Sequence, residues 1–239
     1  MRLSERMEAI ADMVTVGNIL ADVGTDHGYI PIALVTRGRI PKAIAMDLRE
    51  GPLARAREHI AQYGLGEKID TRLSDGVAAL APGEAETIVI AGMGGELVIH
   101  ILSDGEQVCK GAKELILQPQ SEIAGVRAFL RNQGYRICDE NMIEEDGKYY
   151  PMMRVVFGEN ESIQATPVED AYGPVLLWKR HPVLLRFLKK QHSQLAKILS
   201  GLQSQPASEQ IVQRMHEVEE KLQLNRQAQA IMEEEAQEG

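Results

Sequence analysis

The sequence predicts an α/β chain: a mostly parallel sheet over residues 1–158, closed by an antiparallel hairpin, followed by a helical coiled-coil hairpin over residues 159–239. Three patterns carry this prediction. Up to residue 158, short aliphatic or β-branched runs alternate with segments of helical periodicity, as in consecutive βαβ units. The last two strand-like runs before Gly158 have only an acidic, Gly-containing turn between them. Beyond Gly158 apolar residues recur at heptad spacing.

The chain opens with an amphipathic helix, because Leu3, Met7, Ile10, Ala11 and Val14 fall on one helical face. The strand runs are Ile19–Val23, Ala43–Asp47, Ile69–Leu73, Thr87–Ala91 and Glu114–Gln118. Between them, segments such as Pro52–Tyr63 and Ile123–Asn132 repeat apolar residues at spacings of three and four, as helices covering a sheet do. Right-handed crossovers make these strands parallel and bring every loop that follows a strand to one edge. Tyr135–Cys138 and Tyr149–Phe157 form the closing hairpin.

In the tail, Leu184, Leu188, Gln191, Leu195, Ile198 and Leu202 are spaced 4-3-4-3-4, and Ile211, Met215, Val218, Leu222, Asn225, Gln229 and Met232 resume the rhythm after Pro206. Two antiparallel helices, the second capped by Ser208, make an arm of roughly 30 Å for about six turns. Such an arm serves dimer formation or the holding of a large substrate. Its polar core positions Gln191, Asn225 and Gln229 suit either one chain or a pair of chains.

Composition bounds the function. With 239 residues, 44% hydrophobic and 26% charged, the chain has material for one sizeable core and an appendage, which excludes disorder, collagen and small disulfide scaffolds. There is no apolar run of about 18 residues, and Met1–Arg6 lacks an apolar segment, so a cytoplasmic protein without a membrane span is expected. Cys109 and Cys138 have no metal-type spacing and read as small buried hydrophobes, so no metal is expected.

The net charge of -9 speaks against a polyanionic partner, but it is unevenly spread. Residues 171–208 contain no Asp or Glu and hold Lys179, Arg180, Arg186, Lys189, Lys190 and Lys197, a local charge of +6. Residues 209–239 reverse it, with eight acids against three bases. A polyanion-binding face and a pair of salt-bridged helices both fit this pattern.

The stretch most informative about chemistry is Asp22-Val23-Gly24-Thr25-Asp26-His27-Gly28-Tyr29, a strand running through a Gly turn into a helix. In Rossmann-like dinucleotide sites this turn reads G-x-G-x-x-G, and the helix N-terminus receives a pyrophosphate. Here Asp26 takes the place of the second glycine. A carboxylate repels phosphate but suits a ligand carrying an ammonium and a sulfonium, such as S-adenosylmethionine. Asp47 ends the second strand 23 residues past Gly24, where an acid accepts ribose hydroxyls. Asp75, followed by Gly76, lies just past the third strand, in reach of an adenine amino group. Any one of these acids also fits a cap or turn; three in the same edge loops favour a ligand. The fourth strand delivers Gly92-Met93-Gly94-Gly95, whose glycines admit close backbone approach. The Asn-Pro-Pro-Tyr or Asp-Pro-Pro-Tyr motif of many methyltransferases acting on exocyclic amino groups is missing at this point, which argues for a different target atom.

These residues carry a family resemblance. Leu3-Ser4-x-Arg6, Asp22 to Tyr29, Asp47, Ser74-Asp75-Gly76, Ala91 to Gly95, Leu117-Gln118-Pro119-Gln120 and Gly147-Lys148-Tyr149-Tyr150, in this order and spacing, resemble the bacterial TrmK family. Members are class I S-adenosylmethionine-dependent enzymes that methylate N1 of adenine 22 in tRNA. The motifs cover residues 1–158, and the tail agrees in architecture only. The resemblance implies that Gly24, His27, Gly28, Asp47, Asp75 and Gly76 bind S-adenosyl-L-methionine, with Gly92 and Met93 beside its methyl group. Asp26, His27 and Tyr29 would line the opening where a base enters, Asp26 being the candidate catalytic group and His27 a neutral hydrogen-bond partner.

tRNA is the expected partner, and no obligate protein partner is evident. With one Trp, three Phe and six Tyr, the chain is expected to contact RNA through charge and shape, at Arg2, Arg6, Lys189 and Lys190. The target base must leave its stack to reach a donor in a strand-edge cleft. Two rivals remain. A small-molecule or protein methyltransferase is disfavoured by the basic tract and the arm, and an RNA-binding module without turnover by the intact acids Asp47 and Asp75.

Overall fold

The structure, a computed structural model, describes residues 1–158, 165–206 and 208–233. The expected domain boundary after Gly158 and the acidic residues Glu234, Glu235 and Glu238 border on or lie outside these residues. The chain forms two compact units, Met1–Ile163 and Gln164–Gly239.

In the first unit the described residues form seven strands and six helices in the order α1 (Glu5–Met13), β1 (Leu20–Val23), α2 (Tyr29–Thr36), β2 (Ala43–Asp47), α3 (Glu50–Gln62), β3 (Ile69–Leu73), β4 (Thr87–Met93), α4 (Gly95–Asp104), α5 (Glu106–Gly111), β5 (Glu114–Pro119), α6 (Ile123–Asn132), β6 (Tyr135–Glu145) and β7 (Lys148–Phe157). They build one sheet in the order β3-β2-β1-β4-β5-β7-β6. β1 to β5 are parallel, whereas β7 runs antiparallel to both β5 and β6. The closing hairpin is longer than its sequence suggests, because polar residues such as Glu140 and Asn141 continue the ladder up to the turn at Asp146-Gly147.

The central strands are apolar throughout because both of their faces are covered. Ile88 and Ile90 of β4 point into one layer with Val98, Leu102, Val126 and Leu130. The intervening Val89 joins the other layer with Ile10, Ile32, Leu34 and Ile60. Ser4 caps α1 by accepting a hydrogen bond from the Met7 amide, and Ile10 is fully buried at 0% exposure. The amino-terminal helix is thereby fixed on the sheet rather than left as an extension.

Strand order reverses between β1 and β4: successive connections run outward to β2 and β3 on one side and to β5 on the other. The crevice beyond the carboxyl ends of β1 and β4 is where an open α/β sheet takes its ligand.

The described residues of the second unit form α7 (Pro167–Tyr172), α8 (Pro174–Trp178), α9 (Pro182–Gln203) and α10 (Glu209–Glu233). The two short helices are not evident from the heptad pattern, since proline starts each of them and no apolar period has room to develop. Ser208 caps α10, its hydroxyl accepting from the Ile211 amide at 3.3 Å. Burial along the paired helices is graded: Leu184, Leu188, Leu222 and Met232 are buried, while Leu195, Leu202, Ile211 and Met215, nearer the connection, are half-buried.

The polar core positions satisfy one another within the chain. The Asn225 amide donates to the Leu188 carbonyl at 3.0 Å and to Gln191 Oε1 at 2.9 Å. Gln229 donates to Asn225 Oδ1 at 2.6 Å, and the Tyr172 hydroxyl donates to Gln191 Oε1 at 2.7 Å. A buried amide with all these partners fixes the register of the two helices.

Candidate active site

Beyond the carboxyl ends of β1 and β4 lies a cavity of about 200 Å³, lined by residues from α1, β1, the β1–α2 turn, β4 and the loop after β5. Of the residues singled out from sequence, Gly24, Asp26, Tyr29, Gly92 and Arg6 meet there, together with Asp22 and Gln120.

Gly24 is demanded by this geometry. Its φ is +71°, and a Cβ built on it would sit 2.2 Å from Met93 Cε, so Met93 lies directly over the turn. Gly92 has φ +78° at the irregularity where β4 slips register against β5 between Ala91 and Met93. A Cβ there would come within 3.4 Å of Arg6 Nη1. The bulge turns the backbone of β4 toward the cavity.

Asp22 governs the electrostatics. It is 6% exposed, and its Oδ2 accepts a hydrogen bond from the Thr25 hydroxyl at 2.6 Å. Burial raises its carboxyl from the ordinary 3.8 to about 6; the Thr25 hydrogen bond opposes the rise, and the charges of Asp47 and Asp26 add to it. Asp26 projects outward with a side chain 66% exposed, and His27 Nε2 stands 3.4 Å from its Oδ1.

His27 itself does not line the cavity. Held at φ +59°, its ring lies nearly parallel to those of Tyr29 and His59, with centroids 5.2 and 5.1 Å away. Arg6 is half-buried; it donates to the Oε1 of the fully buried Gln118 at 3.0 Å and lies 5.6 Å from the Tyr150 ring centroid.

Gly28, Asp47, Asp75 and Gly76 lie at or just past the carboxyl ends of β1, β2 and β3, outside the cavity. Asp47 is buried, and its Oδ1 accepts from the Arg49 amide at 2.8 Å. Gly28 is the left-handed residue that opens α2. Asp75 is exposed and, with Gly76, borders a second cavity of about 120 Å³ beside His100 and Asp104. Lys189 and Lys190 are exposed on α9 in the other unit. Among the described residues no three His, Cys, Asp or Glu side chains are grouped to hold a metal, and no helix is long and apolar enough to cross a membrane.

Comparison with known proteins agrees with this geometry. A family profile described as a methyltransferase domain matches residues 3–153. The tRNA (adenine(22)-N(1))-methyltransferase of Bacillus subtilis is 30% identical over 227 residues, covering 94% of this chain and 95% of that protein. This chain belongs to the tRNA (adenine(22)-N1)-methyltransferase family. The crystal structure of the B. subtilis m1A22 tRNA methyltransferase TrmK superposes with a TM-score of 0.85 over 95% of this chain and 97% of that one, at 30% identity. Streptococcus pneumoniae Sp1610, a candidate tRNA (m1A22) methyltransferase solved in complex with S-adenosyl-L-methionine, gives 0.84 over 95% and 99% at 33% identity.

For a member of this methyltransferase family, sequence reasoning left out three residues that the structure brings to the edge. Asp22 stands in the sequence motif with no role of its own, although an acid inside an otherwise aliphatic run is itself a signal. Leu48 and Leu73, at the ends of β2 and β3, are 62% and 56% exposed beside Asp47 and Ser74. An exposed Leu has no sequence signature that separates it from a core residue.

Proposed function

We propose that this chain transfers the methyl group of S-adenosyl-L-methionine to N1 of adenine 22 in tRNA. The observation that carries this reading is the cluster of carboxylates at the strand-order reversal: Asp22, with Asp26 and Asp47 acting on it, around a glycine turn. Three acids with an elevated carboxyl among them make a site that repels phosphate and draws a cation. The residues present therefore fit a donor with an ammonium and a sulfonium.

Asp22 would hold the ammonium, and Asp47 the ribose hydroxyls. Leu48 and Leu73 would cover the faces of the adenine, with Asp75 at its amino group. Gly24, His27, Gly28 and Gly76 would shape the loops around the donor, and Gly92 with Met93 would border the sulfonium. Bound there, the cofactor supplies an electrophilic methyl carbon. Adenine N1 has an in-plane lone pair and is unprotonated near pH 7, so the chain's task is to hold it in line with that carbon. The N1–C bond forms as the S–C bond breaks, leaving a cationic 1-methyladenine ring and S-adenosylhomocysteine.

Asp26 stands at the opening, where a carboxylate stabilises the positive charge developing on the ring or accepts from the C6 amino group. Tyr29 and His27 offer a flat aromatic surface beside it for an extracted base. Arg6, held by Gln118, would meet the backbone of the extracted nucleotide, and Lys189 and Lys190 the phosphates of the tRNA body. On this reading the chain works where tRNA matures, in the cytoplasm, and requires no protein partner.

The test is incubation with labelled S-adenosylmethionine and unmodified bulk tRNA, followed by nucleoside analysis. Label in 1-methyladenosine is the expected result. Label in another nucleoside, or cofactor binding with no transfer, overturns the assignment.

A further inference from the structure

The chain's only tryptophan sits where no core needs it. Trp178 is the last residue of α8 and is 81% exposed, the most exposed of the large apolar side chains among the described residues. Burying an indole contributes several kcal/mol to a fold, so a ring left in water calls for another reason to be there.

Its backbone is nonetheless held firmly. The preceding Leu176 and Leu177 are 1% and 3% exposed and pin α8 to its unit. The following turn is closed by the Lys179 amide on the Val175 carbonyl at 2.9 Å, the Arg180 amide on Leu177 at 3.0 Å and the His181 amide on Leu176 at 3.0 Å. The ring is presented on a rigid corner, so a partner that covers it loses little conformational entropy beyond two side-chain torsions.

The residues that follow it in the chain are cationic. Lys179, Arg180 and His181 follow directly, and no acid occurs between residues 171 and 208. On α9, which starts four residues on, Arg186, Lys190 and Lys197 lie at positions i, i+4 and i+11, within about 40° of one another on the helix, and all three are exposed. Lysine is depleted in protein–protein interfaces, and this tract holds Lys179, Lys189, Lys190 and Lys197. A lone aromatic ring followed by cations is instead the pattern by which single-stranded nucleic acid is gripped: the ring takes a base face and the cations take the phosphates.

The geometry points to Trp178 as a stacking platform for an unpaired nucleobase of the tRNA substrate, with the cationic stripe of α9 in the same unit. The inference rests on the tRNA reading above and adds one aromatic contact to an interface expected to rely mainly on charge and shape. Trp178 is an anchoring residue for RNA and takes no part in methyl transfer.

Because the chain has a single tryptophan, its emission reports this ring directly. Saturable quenching is expected on titration with unmodified tRNA and with single-stranded oligoadenylate. Trp178→Ala should raise Kd and KM for tRNA roughly fivefold to 150-fold, the range measured for loss of one base–aromatic stack. Cofactor affinity and kcat at saturating tRNA should stay within twofold, and Trp178→Phe should recover most of the loss.

If tRNA is methylated but neither RNA alters the emission and Trp178→Ala leaves KM within twofold, the platform is overturned and the methylation reading survives. If oligoadenylate quenches the emission and Trp178→Ala abolishes that binding, yet no tRNA accepts a methyl group, the methylation reading fails and the platform stands. A dimer in the wild type that Trp178→Ala dissolves, with emission indifferent to RNA, assigns the ring to a second copy of the chain and overturns the proposal.

Discussion

Replacing Asp22 with Asn should stabilise the protein while weakening cofactor binding, two effects of opposite sign from one carboxylate. Burial lifts the Asp22 carboxyl from 3.8 to about 6, so the folded chain holds that proton more tightly than the unfolded chain does. Stability therefore falls as pH rises through this window, and above it the ionised group costs about 3 kcal/mol, two pKa units and a fraction at 1.36 kcal/mol each. Asn removes the charge and keeps an oxygen for the Thr25 hydroxyl, but its new N–H groups find imperfect partners, which returns about 1–2 kcal/mol. The expected net gain is about 1–2 kcal/mol at pH 7.5, a rise in Tm of roughly 2–8 °C for a unit of this size; it should vanish at about pH 4.5–5.3 and reverse sign near pH 4. Cofactor affinity should drop about 10- to 150-fold, the equivalent of one charge-assisted hydrogen bond. In the wild type, affinity should decline below pH 6 as Asp22 takes up its proton. Thermal melts from pH 4 to 8 with calorimetric titration of the cofactor measure all three quantities. A variant that melts below the wild type at pH 7.5, or a Tm difference that does not change with pH, would refute the reasoning.

Asp26→Ala should lose most methyl transfer and retain cofactor binding; unchanged turnover on tRNA removes it from the reaction. Gly24→Ala must place a methyl group 2.2 Å from Met93 Cε at a φ of +71°, and a loss of about 1–3 kcal/mol with impaired cofactor binding is expected, read by melting and calorimetry. The ion pair between Arg127 and Glu140, 2.9 Å apart with side chains 3% and 0% exposed, is buried. Arg127→Met alone should cost about 3–5 kcal/mol, much of which the double variant with Glu140→Leu should recover; equal destabilisation of both variants in denaturant contradicts this. Lys189→Glu with Lys190→Glu should weaken tRNA binding and reduce its salt dependence, whereas an unaltered salt slope would take α9 out of the interface.

What could be read from the sequence was what has a period or a forced conformation. β1 to β5 follow from aliphatic runs whose two faces are both covered, and α9 and α10 from heptads extending over more than five turns. Gly24 and Asp26 were legible because a turn between strand and helix admits few residue types. Other features depend on tertiary neighbours. The hairpin β6–β7 extends through polar residues because backbone pairing, not side-chain pattern, sustains it up to Asp146. Asp75 reads as a ligand by position, but the fold gives it a cavity apart from the one holding Gly24 and Asp26. Asp22 looked like one polar letter in an apolar strand, and only its depth and its two acidic neighbours make it the electrostatic centre.

Two buried acids in the same sheet show how structure separates support from function. Glu140 is fully buried and answered by the Arg127 guanidinium, and Glu114, 4% exposed, accepts from the Thr15 amide, the Thr15 hydroxyl and the Thr87 hydroxyl at 2.7–2.8 Å. Each sits where the fold itself supplies the donors. Asp22 receives one hydroxyl and faces two further carboxylates, so the fold alone leaves it under-compensated. Within a few residues stand the left-handed backbone of His27, the Gly24 turn under Met93 and the slipped register at Gly92. Local rules broken together at one strand edge, without compensation from the protein, are best explained by a partner that supplies it. The partner that balances three carboxylates beside a glycine turn is a cation, and the methyl donor of this family is one.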